Sequence, residues 1–174
     1  DMNLFLIGYR CTGKSSVGKA LAQRLKWPFV DTDRMIVDTT GADITSIVAN
    51  KGWTYFRDTE HEVVQTVCAA DRQVVATGGG VVLDETNIKA MQASGMVVWL
   101  DASAETIQKR MLQDKNTKNF RPALTDKGGM EEIEDMLLQR KPYYESASDF
   151  TIPTDDVSIN EIAAKIIQKL KDNL

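Results

Sequence analysis

Residues 8–15 read Gly-Tyr-Arg-Cys-Thr-Gly-Lys-Ser, which satisfies G-x-x-x-x-G-K-[ST] at every fixed position. The run follows the apolar stretch Leu4–Ile7 and precedes a segment with helical spacing. That context suits a loop whose bare N–H groups and helix N-terminus wrap a phosphate chain. Gly8, Cys11, Thr12, Gly13, Lys14, Ser15 and Ser16 are therefore expected to bind ATP. Cys11 serves there as a spacer. Lys14 can reach the β- and γ-phosphates, and Ser15 can put its hydroxyl on Mg²⁺. The competing reading is a Gly-rich turn that happens to hold Lys-Ser, and both flanks speak against it.

Asp31 and Asp33 follow a second short apolar run, Phe29-Val30. Carboxyl ends of parallel strands face the ligand crevice. Alternation along an extended segment would point both carboxylates to one side. One carboxylate could then hold water on Mg²⁺ and the other accept a hydrogen from an acceptor hydroxyl; the alternative is an acidic N-cap pair for the next helix. Gly78-Gly79-Gly80 close a third run. Three glycines in a row cost backbone entropy, which a close approach to a ligand would justify; a plain flexible turn is the alternative. Arg57, Arg110, Arg121 and Arg140 stand beside these features. With Lys14 they supply more cations than one ATP needs. The surplus suggests an anionic acceptor, because guanidinium binds carboxylates bidentately.

The elements that must position these groups alternate. Strands are expected at Leu4–Ile7, Phe29–Asp31, Gln73–Ala76, Met96–Leu100 and Phe150–Ile152. Helices are expected at Ser15–Leu25, from about Arg34, at Asp43–Ala49, Tyr55–Ala69, Asn87–Ala93, Ala104–Leu112, Met130–Arg140 and Ile159–Leu170. Arg110 and Arg140 would lie at helix ends. Short apolar strands between helices predict an α/β fold, a parallel sheet covered on both faces. Residues 113–130 change to Lys, Asn, Asp and Gly around a lone Phe-Arg-Pro, the composition of a mobile lid. All 174 residues are expected to form one domain.

Composition narrows the function classes. Hydrophobic residues make up 43%, enough for a core without staples. A net charge of -4 argues against nucleic acid as a partner. Cys11 and Cys68 form no CxxC pair and no zinc spacing, which fits a reducing compartment. The single histidine, His61, sits between Glu60 and Glu62 and reads as a solvated helix residue. No apolar run reaches membrane-spanning length, and Asp1-Met2-Asn3 lacks the pattern of a secretory signal. A cytoplasmic location and no membrane partner are expected.

Taken together, the motifs Gly8–Ser15, Asp31-Thr32-Asp33, Phe56-Arg57-Asp58-Thr59-Glu60, Ala76–Gly80, Arg121-Pro122 and Arg140 ahead of Tyr144-Glu145 resemble the shikimate kinase family nearly end to end. The resemblance implies a three-layer α/β/α P-loop fold with a central parallel sheet of about five strands. It also implies transfer of the γ-phosphoryl of ATP to the 3-hydroxyl of shikimate, on the chorismate route to aromatic amino acids. On that basis Asp33, Arg57, Gly78, Gly79, Gly80 and Arg140 would contact shikimate, with Arg57 and Arg140 clamping its carboxylate. Lys14, Asp33 and Arg121 would be catalytic, Ser15 and Asp31 would serve the metal, and Arg110 would lie near adenine. The Walker B role would fall on the glycine-triplet strand. A monomer is expected. Two departures fall in the lid: Ala123, where a larger aliphatic residue is usual, and the run Asp126-Lys127-Gly128-Gly129. The alternatives are a gluconate-type kinase and a non-catalytic ATP-binding regulatory protein.

Overall fold

The computed structural model describes residues 2–114 and 129–173. Five strands form one sheet: β1 (Asn3–Ile7), β2 (Phe29–Asp31), β3 (Val74–Ala76), β4 (Gly95–Asp101) and β5 (Phe150–Pro153). Their order is β2-β3-β1-β4-β5, and every pairing is parallel. The helices are α1 (Lys14–Leu25), α2 (Thr32–Thr40), α3 (Ile44–Cys68), α4 (Glu85–Ser94), α5 (Ala104–Gln113), α6 (Gly129–Ala147) and α7 (Ile159–Asp172), with a 3₁₀ turn at Val81–Leu83.

The period-two alternation of side chains sorts the strands between two apolar layers. Leu4 and Leu6 of β1, with Met96, Val98 and Leu100 of β4, pack under Val17 and Leu21 of α1 and Ile162, Ile166 and Leu170 of α7. Phe5 and Ile7, with Val97 and Trp99, face α2, α3, α4 and α6 on the other side. Both faces are therefore buried, as the unbroken apolar strands required. β1 sits at the centre of the sheet, so the loop after it emerges mid-edge, at the crevice where the chain order reverses.

Three expectations need correction. α2 starts at Thr32, not near Arg34, because the Asp31 carboxylate caps it, accepting from the N–H groups of Asp33 (3.0 Å) and Arg34 (3.3 Å). Asp33 therefore stands in the first helical turn, and the extended alternation argument does not apply to it. The helices expected at 43–49 and 55–69 are one run, Ile44–Cys68, kinked at Gly52 (φ 86°, ψ 168°). Finally, α6 runs through Pro142 to Ala147, so Arg140 lies within the helix and not at its end. Pro142 removes one backbone donor, and the carbonyl left over belongs to the exposed Leu138, where water can reach it. Of the expected lid, Gln113 ends α5 and Gly129 and Met130 open α6; residues 115–128, with Arg121, Ala123 and most of the Asp126–Gly129 run, lie outside the described residues.

Candidate active site

The phosphate-loop residues form a tight turn between β1 and α1. Gly8 adopts φ 142° and presses on β4: a Cβ there would stand 2.3 Å from the Leu100 carbonyl oxygen, so no side chain fits. Cys11 takes a left-handed φ of 63°, and its carbonyl accepts from Arg110 Nη1 at 3.0 Å. Arg110 also donates to the Thr154 carbonyl at 2.9 Å. It thereby ties the loop to the segment after β5, beside a cavity lined by Thr12, Gly13, Ser16, Val157 and Ile159. The buried Lys14 ammonium donates to the carbonyls of Gly8 and Tyr9 (2.9 Å to the latter). Ser15 Oγ donates to Asp31 Oδ2 at 3.4 Å, so the two residues expected at a metal come together between the first turn of α1 and the end of β2.

A second cleft opens on the α3 and α6 side of that loop. Its lining includes Arg10, Asp33, Trp53, Phe56, Arg57, Glu60, Gly78–Gly80 and Arg140. Trp53, Phe56, Arg57 and Glu60 come from one face of α3, at helical spacing. The Trp53 and Phe56 rings meet edge to face at 5.9 Å, and the Arg57 guanidinium lies 5.3 Å and 5.2 Å from their centroids. Arg57 Nη1 also pairs with Glu60 Oε1 at 2.8 Å, so a long flexible cation is held in one place.

The glycine triplet is the floor of this cleft, and each glycine makes room for functional side chains. A Cβ on Gly78 would stand 2.7 Å from Asp33 Oδ1 and 3.0 Å from Glu60 Oε2; on Gly80, 2.3 Å from Arg57 Nη2; on Gly79, 3.3 Å from Arg140 Nη1. The same Gly79 Cβ would lie 3.5 Å from Gly8 O and Arg10 N. The second cleft and the phosphate loop thus share a wall.

The charges are arranged for an anion. Glu60 is 1% exposed; burial pushes its carboxyl pKa up, Arg57 pulls it down, and the like charge of Asp33 pushes it up. Arg10, nearly buried, reaches Glu132 of α6 at 3.9 Å. The cleft therefore carries Arg10, Arg57 and Arg140 against Asp33 and Glu60, cations in excess. His61, the next residue after Glu60, is not in the cleft. Its Nδ1 lies 3.2 Å from Asn87 Oδ1 and 3.3 Å from Asp84 Oδ2, a joint between α3 and α4 and a more engaged position than a solvated residue has.

The structure brings Asp33, Arg57, Gly78–Gly80 and Arg140 to one cleft, and Cys11, Thr12, Gly13, Ser16 and Arg110 to its neighbour, with Gly8, Lys14 and Ser15 in the same loop; Arg121 is outside the described residues. Sequence reasoning gave no site role to Arg10, Trp53, Glu60 or Tyr144, although Glu60 and Tyr144 stand in motifs that carry the resemblance. Trp53 and Glu60 had a signal, their helical spacing with Phe56 and Arg57 on α3. Arg10 had none, since it fills a variable position of the motif.

A family model for shikimate kinase matches residues 10–171. The shikimate kinase of Syntrophus aciditrophicus is 40% identical, over 98% of this chain and 92% of its own length. That of Thermodesulfovibrio yellowstonii is 41% identical, over 96% and 94%. The structure of the shikimate kinase from Acinetobacter baumannii in complex with shikimate is similar at a TM-score of 0.91 and 32% identity, over 99% of this chain and 94% of that one. With the loop, the cleft and the sheet order already described, these matches settle the kinship: the chain belongs to the shikimate kinase family.

Proposed function

We propose that this chain transfers the γ-phosphoryl group of ATP to the 3-hydroxyl of shikimate, giving shikimate 3-phosphate and ADP. The observation that carries the reading is the shared wall: Gly79 separates a cation-rich cleft from the phosphate loop by one residue's thickness. In this reading Arg57 and Arg140 grip the acceptor carboxylate, which matches their planar forks. Asp33 accepts from the hydroxyl that attacks, and raises its nucleophilicity by drawing off the proton. Lys14 leaves the carbonyls of Gly8 and Tyr9 for the β- and γ-phosphates and stabilises charge as it shifts toward the leaving oxygen. Arg110 borders the base, and Arg121 belongs with the phosphates.

The residues present fit Mg²⁺. Ser15 and Asp31 offer hard oxygens beside the phosphate loop. Among the described residues no cluster of three or more potential ligand side chains forms, which suits an ion held by few protein oxygens, phosphates and water. When bound, Mg²⁺ neutralises charge on the transferring phosphates. Among the described residues no helix is long and apolar enough to cross a membrane. A single-domain, cytoplasmic monomer with no nucleic-acid or membrane partner completes the reading; sedimentation at micromolar concentration tests the oligomeric state.

The deciding experiment measures ADP release with ATP, Mg²⁺ and each of shikimate, quinate, gluconate and nucleoside monophosphates. Shikimate is expected to turn over far faster than the others. Equal or faster turnover with gluconate or a nucleotide sinks the assignment.

A further inference from the structure

Backbone carbonyls and glycines form the floor of the acceptor cleft, and one side chain beneath them holds that floor. Tyr144 lies on α6 one turn beyond Arg140, so both project from the same helix face. It is completely buried. Its ring stacks on Trp99 of β4 with centroids 5.5 Å apart and planes at 28°. Its hydroxyl donates to the Gly79 carbonyl at 2.6 Å. Arg140 faces the same hydroxyl and approaches Gly79 closely enough that a Cβ there would stand 3.3 Å from Nη1.

We propose that Tyr144 is a positioning residue for the acceptor: its hydroxyl holds Arg140 and the Gly79 backbone at a fixed separation, and so presets the carboxylate grip. The proposal rests on the reading of this cleft as the shikimate site. Phenylalanine would fill the same space and keep the ring stack. A hydroxyl in an apolar core costs free energy unless it is used, and here both of its partners belong to the cleft. Burial pushes the phenol pKa up to about 12, so the group remains a donor throughout the working pH range. The ATP site depends on other elements: the loop between β1 and α1, and Arg110. Loss of the hydroxyl should therefore act on the acceptor alone.

The test compares Tyr144→Phe with the wild type by steady-state kinetics and by calorimetric titration with shikimate. The expected result is a rise of about tenfold in KM and Kd for shikimate, the size of one buried hydrogen bond to a charged or backbone group, with KM for ATP unchanged. Ile166→Val, in the apolar layer on the other face of the sheet, supplies a variant that loses stability without touching the cleft; its shikimate KM should stay at the wild-type value. Trp99→Phe keeps the hydroxyl while weakening its support, and should lower Tm more than it raises shikimate KM. An unchanged shikimate KM in Tyr144→Phe overturns the proposal. So does an equal rise in both KM values, or a variant that fails to fold, since either makes the role general packing. Wild-type protein inactive on shikimate would instead overturn the reading of the cleft, a separable outcome.

Discussion

Lys14 and Asp33 stand on opposite sides of the Gly79 wall, one in the phosphate loop and one in the cleft. Their variants should fail differently. Asp33→Asn keeps size and hydrogen-bonding capacity but loses the charge, so turnover should fall by about 10²-fold or more while affinity for a non-hydrolysable ATP analogue holds. Lys14→Ala should weaken both nucleotide binding and rate. Near-normal turnover in Asp33→Asn, or a defect confined to ATP binding, would remove Asp33 from the acceptor. Glu60 adds a pH signature. Its pKa is raised in the folded chain by burial, above the value in the unfolded one. Folding therefore takes up protons between the two values. The stability tied to this group is full below its unfolded pKa and is lost as pH rises through the folded one. Denaturant unfolding of wild type and Glu60→Gln across pH should show the wild type losing ground to the variant from the ordinary carboxylate range upward. A flat difference would mean that the pair with Arg57 offsets burial completely.

The glycines show how elements divide between stability and function. At Gly80 an added methyl meets the Arg57 guanidinium, the far end of a side chain and not backbone. Gly80→Ala should push Arg57 aside and raise shikimate KM with little loss of Tm. At Gly95, the first residue of β4, the methyl meets the Asn3 backbone at 2.1 Å. There the paired strands themselves must shift, so Gly95→Ala should cost about 1–3 kcal/mol, with KM for both substrates intact. Thermal melts beside acceptor titrations check the contrast, and a pattern reversed between the two positions would contradict the geometry. Helix boundaries follow the same logic. Asp31 caps α2 with two backbone bonds, and that cap sets Asp33 inside the first turn.

At the scale of the whole molecule, the strand order gathers the carboxyl ends of β1, β2 and β3 at one edge of the sheet. Ligands bound there bridge elements that come from distant parts of the chain: Lys14, Asp33, Arg57, Gly79 and Arg140. Anything that binds only this assembled form must stabilise it. At 100 times its Kd, a ligand adds about 2.7 kcal/mol, and a chain of this length gains about 2–4 °C per kcal/mol. ADP with shikimate should therefore raise Tm by more than either alone, and ADP with gluconate by no more than ADP. A Tm indifferent to shikimate would count against the acceptor cleft.

Local information sufficed wherever the physics is local. The phosphate loop needs its fixed residues within eight positions, and the five strands announce themselves by apolar runs that must be buried on both faces. The cap at Asp43 is equally short-range. The family resemblance named Asp33, Arg57, the triplet and Arg140, but how they fit together came only with the tertiary structure. Gly78–Gly80 read as a loop with room for a ligand, whereas four side chains from α2, α3 and α6 already crowd the space a Cβ would take. The helical spacing reads only as far as Arg140, yet the burial of Tyr144 and Ala147 carries α6 past it, through Pro142. Arg10 and Tyr144 looked ordinary, because a residue's role in a site depends on neighbours remote in sequence. Those neighbours meet only when the sheet orders its strands and the helices pack on its faces.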